Sequence, residues 1–283
     1  MIEVILPGPL TTVQDLGRAG LAHLGVPGSG AADLAGFGLA NRLAGNPPGA
    51  AALELTLGGA VLRFGTRAWI AVTGAPAPLT IDGRPCGLNA PCFVRAGSVV
   101  ALGTPVTGLR TYLAVRGGLD VEPVLGSRST DLLSGLGPAP LAAGDRLPVG
   151  RAGADFGAVD VAPVRPPPDR LVLRVRPGPH HDWFTGDALT TGTFEVTSQS
   201  NRVGVRLDGP PLGRARVAEL PSEGMVTGAI QVPPGGQPIL FLADHPTTGG
   251  YPVIAVVAAA DLSLAAQLRP GQTLRLSGRP YSR

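Results

Sequence analysis

The chain has 283 residues, 44% of them apolar, with 42 glycines, 30 prolines and a formal net charge of +3. All 23 basic residues are arginine, so a phosphate-loop lysine, a Schiff-base lysine and covalent biotin on this chain are excluded. The arginines are scattered and aromatics make up only 4%, which argues against nucleic-acid binding.

The length fits two domains of roughly 100–150 residues. The start, Met1 to Pro7, lacks the basic and apolar regions of a signal peptide. No apolar stretch reaches the ~18–20 residues that span a bilayer. A cytoplasmic protein without membrane contact is expected. Two cysteines, Cys86 and Cys92, suit a reducing compartment and are too few for a disulfide framework or a zinc cage.

The first motif in chain order is Thr11-Thr12-Val13-Gln14-Asp15-Leu16-Gly17-Arg18. Asp15 suits an acid or base and Arg18 an anion clamp; alternatively, the Thr and Asp side chains stabilise a turn. The glycine loop at 25–30 either cradles an anion or turns the chain into a helix. That helix is predicted over residues 31–44, with Asp33 in the first turn, Gly45 as C-cap and Pro47-Pro48 beyond. Asn41 shares its face with Leu34, Phe37 and Ala44. Once buried it must be hydrogen-bonded, so it ties down a loop or faces a ligand. Leu53-Glu54-Leu55-Thr56-Leu57 alternates as a strand with its leucines inward. Further strands are predicted at 69–72, 111–115, 171–175, 203–207, 239–242 and 253–257, and a short helix at 261–268. Many short strands between regular turns predict barrels or sandwiches. A proline run at 165–168 is the candidate linker, giving domains 1–164 and 165–283, with strands free to cross.

The densest polar motifs lie at 198–252, where strands give way to turns, the usual place for binding groups. Arg202 and Arg206 flank Gly204 on one predicted strand face, as an anion seat or as ordinary outer-face arginines. Thr247-Thr248-Gly249-Gly250 offers hydroxyls and approachable amides, and Asp244 and Glu223 are the nearest candidate bases. The four histidines show no recognisable ligand spacing, and no metal site is expected.

In joint order and spacing these blocks resemble one family. They are Thr12-Val13-Gln14-Asp15 with Gly17-Arg18, Gly25-Val26-Pro27 with Ser29-Gly30-Ala31, Ala40-Asn41 with Gly45-Asn46, and Leu125 to Thr130. Ser200-Asn201-Arg202, Ser222-Glu223-Gly224, Gly228 to Pro233 and Thr247 to Pro252 continue the series. Over essentially its whole length the chain resembles the carboxyltransferase-domain family, which includes the C component of bacterial 5-oxoprolinase, the partner protein KipA and part of urea amidolyase. The resemblance implies a mainly β fold of two cyclophilin-like β-barrel subdomains with a few short helices. It also implies one component of a multisubunit enzyme, active only in complex with a KipI-like B component and a LamB/YcsF-like A component. That complex would use ATP to cleave a small amide, 5-oxo-L-proline, to L-glutamate. Two alternatives come with the family: transfer of a carboxyl group from carboxybiotin to a urea-like amide, and a non-catalytic KipA-type regulatory role. On the same resemblance, Asp15, Glu223 and Asp244 are the candidate catalytic carboxylates. Arg18 and Arg202 are anion clamps, and Gln14, Asn41, Asn201 and Gln231 read an amide. Ser29, Ser200, Thr247, Thr248 and Tyr251 complete the implied binding set.

Overall fold

The computed structural model describes residues 1–153, 161–164, 168, 170–216 and 218–278. The proline run expected as a linker falls mostly outside the described residues. The chain divides into two units. The first comprises Met1–Arg18, Ser29–Asp131 and Gly135–Pro166; the second comprises Ala19–Gly28, Leu132–Ser134 and Pro167–Arg283.

The first unit holds two antiparallel sheets. Six strands run in the order Arg146–Leu147, Ile2–Pro7, Ala60–Phe64, Val99–Leu102, Leu79–Ile81, Arg84–Pro85. Five run in the order Leu10–Gln14, Ala52–Thr56, Arg110–Val115, Ala68–Gly74, Pro91–Val94. Period-2 alternation sends Leu53, Leu55, Ile70, Val72, Leu113 and Val115 into one core with Ile2, Val4, Leu62, Phe64 and Val100 of the other sheet. Each such side chain, fully buried, contributes about 1.5–3 kcal/mol.

The opposite face of the five-stranded sheet is also covered. Ala52, Ala71 and Ala114 are small enough to admit the helix Leu34–Leu43, which buries Phe37, Ala40 and Leu43 against them. The helix begins three residues later than predicted. Residues 31–33 give their amides to the sheet side instead: Ala32 N–H donates to Glu54 Oε2 at 2.9 Å and Asp33 N–H to Tyr112 Oη at 2.8 Å. Asp33 is therefore the N-cap, its carboxylate accepting from Gly36 N–H. Glu54, on the strand face away from the leucines, is 1% exposed and accepts the Tyr112 hydroxyl at 2.7 Å. Burial, then the nearby Glu54 carboxylate, pushes the Tyr112 phenol well above its ordinary range.

The second unit is a closed barrel in the order Leu171–Pro177, Val253–Val257, Ala229–Gln231, Ile239–Phe241, Gly204–Asp208, Thr193–Val196, Thr273–Gly278. It closes by a parallel pairing of the first and last of these, Leu171 opposite Leu274 through Val175 opposite Gly278. All other neighbouring pairs are antiparallel. Leu173, Phe194, Leu207, Ile230, Leu240 and Leu276 fill the interior. A two-stranded ribbon, Glu223–Gly224 with Thr248–Gly249, stands outside the barrel order. Among the described residues no helix is long and apolar enough to cross a membrane. The mainly β architecture with few short helices is the one expected.

Candidate functional site

Two polar constellations emerge, one in each unit. In the first unit, Gln14 ends a strand and Asp15 to Arg18 leave the sheet. Asp15 is 8% exposed and its oxygens are occupied. Oδ1 accepts from Gly17 N–H at 2.8 Å and from the Ser127 and Ser129 hydroxyls at 2.5 and 2.6 Å. Oδ2 accepts from Arg128 N–H at 2.6 Å. Asp15 thus pins the segment 127–129 against the segment 15–17.

Arg18, beside it, is 2% exposed, and its guanidinium meets two carbonyls. Nε donates to Val124 O at 3.1 Å and Nη2 to Ser129 O at 2.6 Å. Residue 137 must be glycine for this seating: its φ is +81°, and a Cβ there would strike the Ser129 carbonyl and lie 2.6 Å from Arg18 Nη2. Three buried polar atoms in this constellation have no hydrogen-bond partner among the described residues: Arg18 Nη1, Gln14 Oε1 and Thr130 Oγ1. Gln14 Nε2 and Ser29 Oγ both donate to Thr130 O at 3.0 Å, so the side chains of Gln14, Arg18 and Ser29 converge on residues 129–130. Buried polar groups are normally satisfied, and a guanidinium least tolerates the lack. Two donors and an acceptor, on residues 14, 18 and 130, are thus left over in this constellation.

In the second unit, Arg202 and Asp244 do not form an open site. Both are buried, at 1% and 0% exposure. The carboxylate takes a fork of Nε at 2.9 Å and Nη2 at 2.8 Å, and accepts Leu132 N–H at 3.1 Å. The clamp and the base expected here are thus paired with each other: Arg202 spends its charge on the Asp244 carboxylate. Arg202 does not share a face with Arg206, which is exposed on the strand Gly204–Asp208. Ser200 and Asn201 stabilise the turn into that strand. Ser200 Oγ accepts Arg206 N–H at 3.0 Å, and Asn201 Oδ1 accepts Val203 N–H at 2.8 Å. Asn41, in the first unit, ties a loop. It is 0% exposed, donates to Ala50 O at 2.9 Å and accepts from Asn46 Nδ2 at 3.0 Å.

The remaining predicted residues gather on the ribbon. Glu223 pairs opposite Gly249, and Gln231 Nε2 donates to Tyr251 O at 3.0 Å. A Cβ at Gly249 would lie 2.7 Å from Gln231 Nε2, so glycine lets the ribbon sit against Gln231. Thr248 and Tyr251 are exposed, and Thr247 O accepts Met225 N–H at 2.9 Å. His180, which the sequence did not single out for this site, joins it with Nε2 3.3 Å from Glu223 Oε1. Its nearest sequence signal was the pair of adjacent histidines. Ser127, Ser129 and Thr130 were equally missed as site residues, though their polar run was visible.

One concavity lies apart from both constellations. A cleft of about 420 Å³ is lined by Ile81, Asp82, Arg84, Cys86, Phe93 and other residues, none from either constellation. Its Asp82 is already engaged by Ser98 Oγ at 2.7 Å and Val99 N–H at 2.8 Å.

Known proteins sort this chain clearly. Residues 24–278 match the family described as carboxyltransferase domain, subdomain A and B. The chain is 40% identical to the C component of 5-oxoprolinase from Escherichia coli (strain K12) over 280 residues, covering 97% of this chain and 90% of that protein. It superposes on the crystal structure of TTHA0988 with a TM-score of 0.89 at 37% identity, over 98% of this chain but only 56% of that one. It superposes on the K. lactis urea amidolyase with a TM-score of 0.90 at 34% identity, over 99% of this chain and 19% of that one. The chain belongs to the carboxyltransferase domain family, subdomain A and B.

Proposed function

We propose that this chain is the C component of an ATP-dependent 5-oxoprolinase, acting with a KipI-like B component and a LamB/YcsF-like A component. One observation carries the reading: 40% identity to a protein of that name, extending over 97% of this chain and 90% of the other. Similarity to urea amidolyase engages only 19% of a much longer chain. The first-unit constellation suits the substrate class. 5-Oxo-L-proline carries one carboxylate and one lactam amide. Arg18 Nη1 offers a charge-assisted bond to the carboxylate, and Gln14 Oε1 an acceptor for the lactam N–H.

A lactam carbonyl is a poor electrophile. Phosphorylation of its oxygen by ATP, releasing ADP, makes the carbon attackable by water. Expulsion of the ring nitrogen leaves an acyl phosphate, and a second water releases phosphate and glutamate. The test is glutamate release from 5-oxoproline with all three components, and with each omitted in turn. Release that needs ATP and every component is the expected result. Silence from a fully assembled mixture would overturn the reading and favour carboxyl transfer. The lysine-free chain would then depend on a biotin carried elsewhere.

A further inference from the structure

We infer that Glu223 is the proton-accepting carboxylate of this chain and that His180 is the positioning residue that holds it ready. The inference rests on the oxoprolinase reading and deepens it. Of the three carboxylates the sequence offered, two are committed. Asp15 receives four donors, two of them backbone amides. Asp244 is 0% exposed and bound by the Arg202 fork. Both carboxylates are spent on holding their own segments in place. The Glu223 side chain is 41% exposed and has one ionic contact, His180. Its Oε2 has no hydrogen bond among the described residues and is open to a ligand or water.

The direction of the His180–Glu223 bond follows from the other ring nitrogen. His180 Nδ1 accepts Val253 N–H at 3.3 Å. In the neutral ring an accepting Nδ1 leaves the proton on Nε2, which therefore donates to Glu223 Oε1. Both nitrogens are thus committed, and His180 is 7% exposed. The ring is fixed further by Trp183, edge-on with centroids 5.2 Å apart at 72°. Trp183 N–H in turn donates to His180 O at 3.0 Å. A rigid donor on one carboxylate oxygen leaves the second aimed outward. Thr248 and Tyr251 stand exposed on the ribbon that bears it and just beyond.

In the reaction, Glu223 Oε2 takes one proton from the attacking water as the water oxygen bonds to the O-phosphorylated lactam carbon. The substrate keeps its N–H, and the C=N π pair moves to nitrogen, leaving a tetrahedral carbon with the new hydroxyl, the phosphate ester and the ring amine. The carboxylic acid returns its proton to the ring nitrogen, which leaves with the C–N pair as the hydroxyl O–H pair becomes the acyl phosphate C=O. The hydroxyl proton passes to solvent, and the Glu223 carboxylate is restored. ATP supplies the phosphoryl group.

The experiment uses the complex reconstituted from all three components and follows kcat and KM for 5-oxoproline. Glu223→Gln should lower kcat by about 100-fold or more, the usual scale of a lost general base, with little change in KM. Glu223→Ala should regain activity with added formate. His180→Phe keeps an aromatic ring beside Trp183 but loses the donor. It should lower kcat about tenfold with KM little changed, the effect of one hydrogen bond to a charged group. His180→Gln, which keeps a donor, should restore most of that loss. A Glu223→Gln complex turning over at the wild-type rate overturns the assignment. So does Glu223→Ala unrescued at every formate concentration, or a His180→Gln complex as slow as His180→Phe. A wild-type complex that releases no glutamate instead sinks the oxoprolinase reading, so the two failures are distinct.

Discussion

Arg18 and Arg202, two of the almost wholly buried arginines, lie one in each unit and have opposite surroundings. Arg202 meets the Asp244 carboxylate through a two-bond fork, while Arg18 meets only carbonyl oxygens and keeps Nη1 without a partner among the described residues. Burying a guanidinium costs several kcal/mol and is offset only by good partners. At Arg202 the partner is internal, so the pair is a pin. At Arg18 one nitrogen has no partner among the described residues, which is why the proposed function casts it as a seat. Residue type and burial alone do not distinguish the two; the partner does.

That contrast can be broken most sharply at the pin. Arg202→Ala strands a fully buried carboxylate and should cost about 3–5 kcal/mol, read as a large drop in the urea midpoint. Activity should fall only in step with folding. An Arg202→Ala protein that melts normally but loses turnover would put Arg202 back in the substrate site. Arg18→Met is the counterpart. Turnover of the reconstituted complex should fall at least tenfold, mainly through KM if Arg18 binds the carboxylate in both ground and transition states. The loss of stability should be smaller than at Arg202, since only two backbone carbonyls lose a donor. Equal stability losses at the two sites would erase the distinction.

Asn41→Ala tests the loop anchor. Asn46 Nδ2 and Ala50 O would each lose a partner, at about 1–3 kcal/mol in thermal or chemical denaturation. Lost activity with unchanged stability would instead mean that Asn41 meets a ligand. The smallest effect concerns Asp261, held below the usual carboxylate range chiefly by hydrogen bonding from Arg174, at 2.5 and 2.9 Å. A depressed folded-state pKa gives stability that is present above the unfolded value and lost as pH falls through the folded one. Asp261→Asn should therefore lower the Tm at pH 7, and the gap from wild type should close as the pH is taken below the carboxylate range. A gap constant with pH would show that the ion pair contributes nothing.

The parts of this molecule that follow a period were legible in the sequence. The alternation at 53–57 placed Leu53 and Leu55 in the core, and the helix expected over 31–44 is present, though it runs Leu34–Leu43 with Asp33 as N-cap and Ala44, not Gly45, as C-cap. Length-scale effects were not legible. Glu54 reads as an outward polar residue, because nothing local says that a helix from twenty residues earlier will cover it. Arg202 and Asp244 are 42 positions apart, and Asp15 and Ser129 are 114 apart. Proximity in sequence suggested Arg206 as the companion of Arg202; proximity in space supplied Asp244. His180 lies 43 positions from Glu223, and a lone histidine has too many ordinary roles to be picked out in advance.

The parallel seam between Leu171–Pro177 and Thr273–Gly278 has a consequence for how the second unit is made. During synthesis the first strand emerges about a hundred residues before the one that closes on it. At ribosomal speed, roughly 5–20 residues per second, it waits several seconds with an open edge. Closing so distant a pair also costs loop entropy before any contact repays it. The barrel is therefore completed only once its last strand has been made, in one late step. Premature stops that remove Thr273–Gly278 should yield an aggregation-prone chain and not a trimmed but working protein.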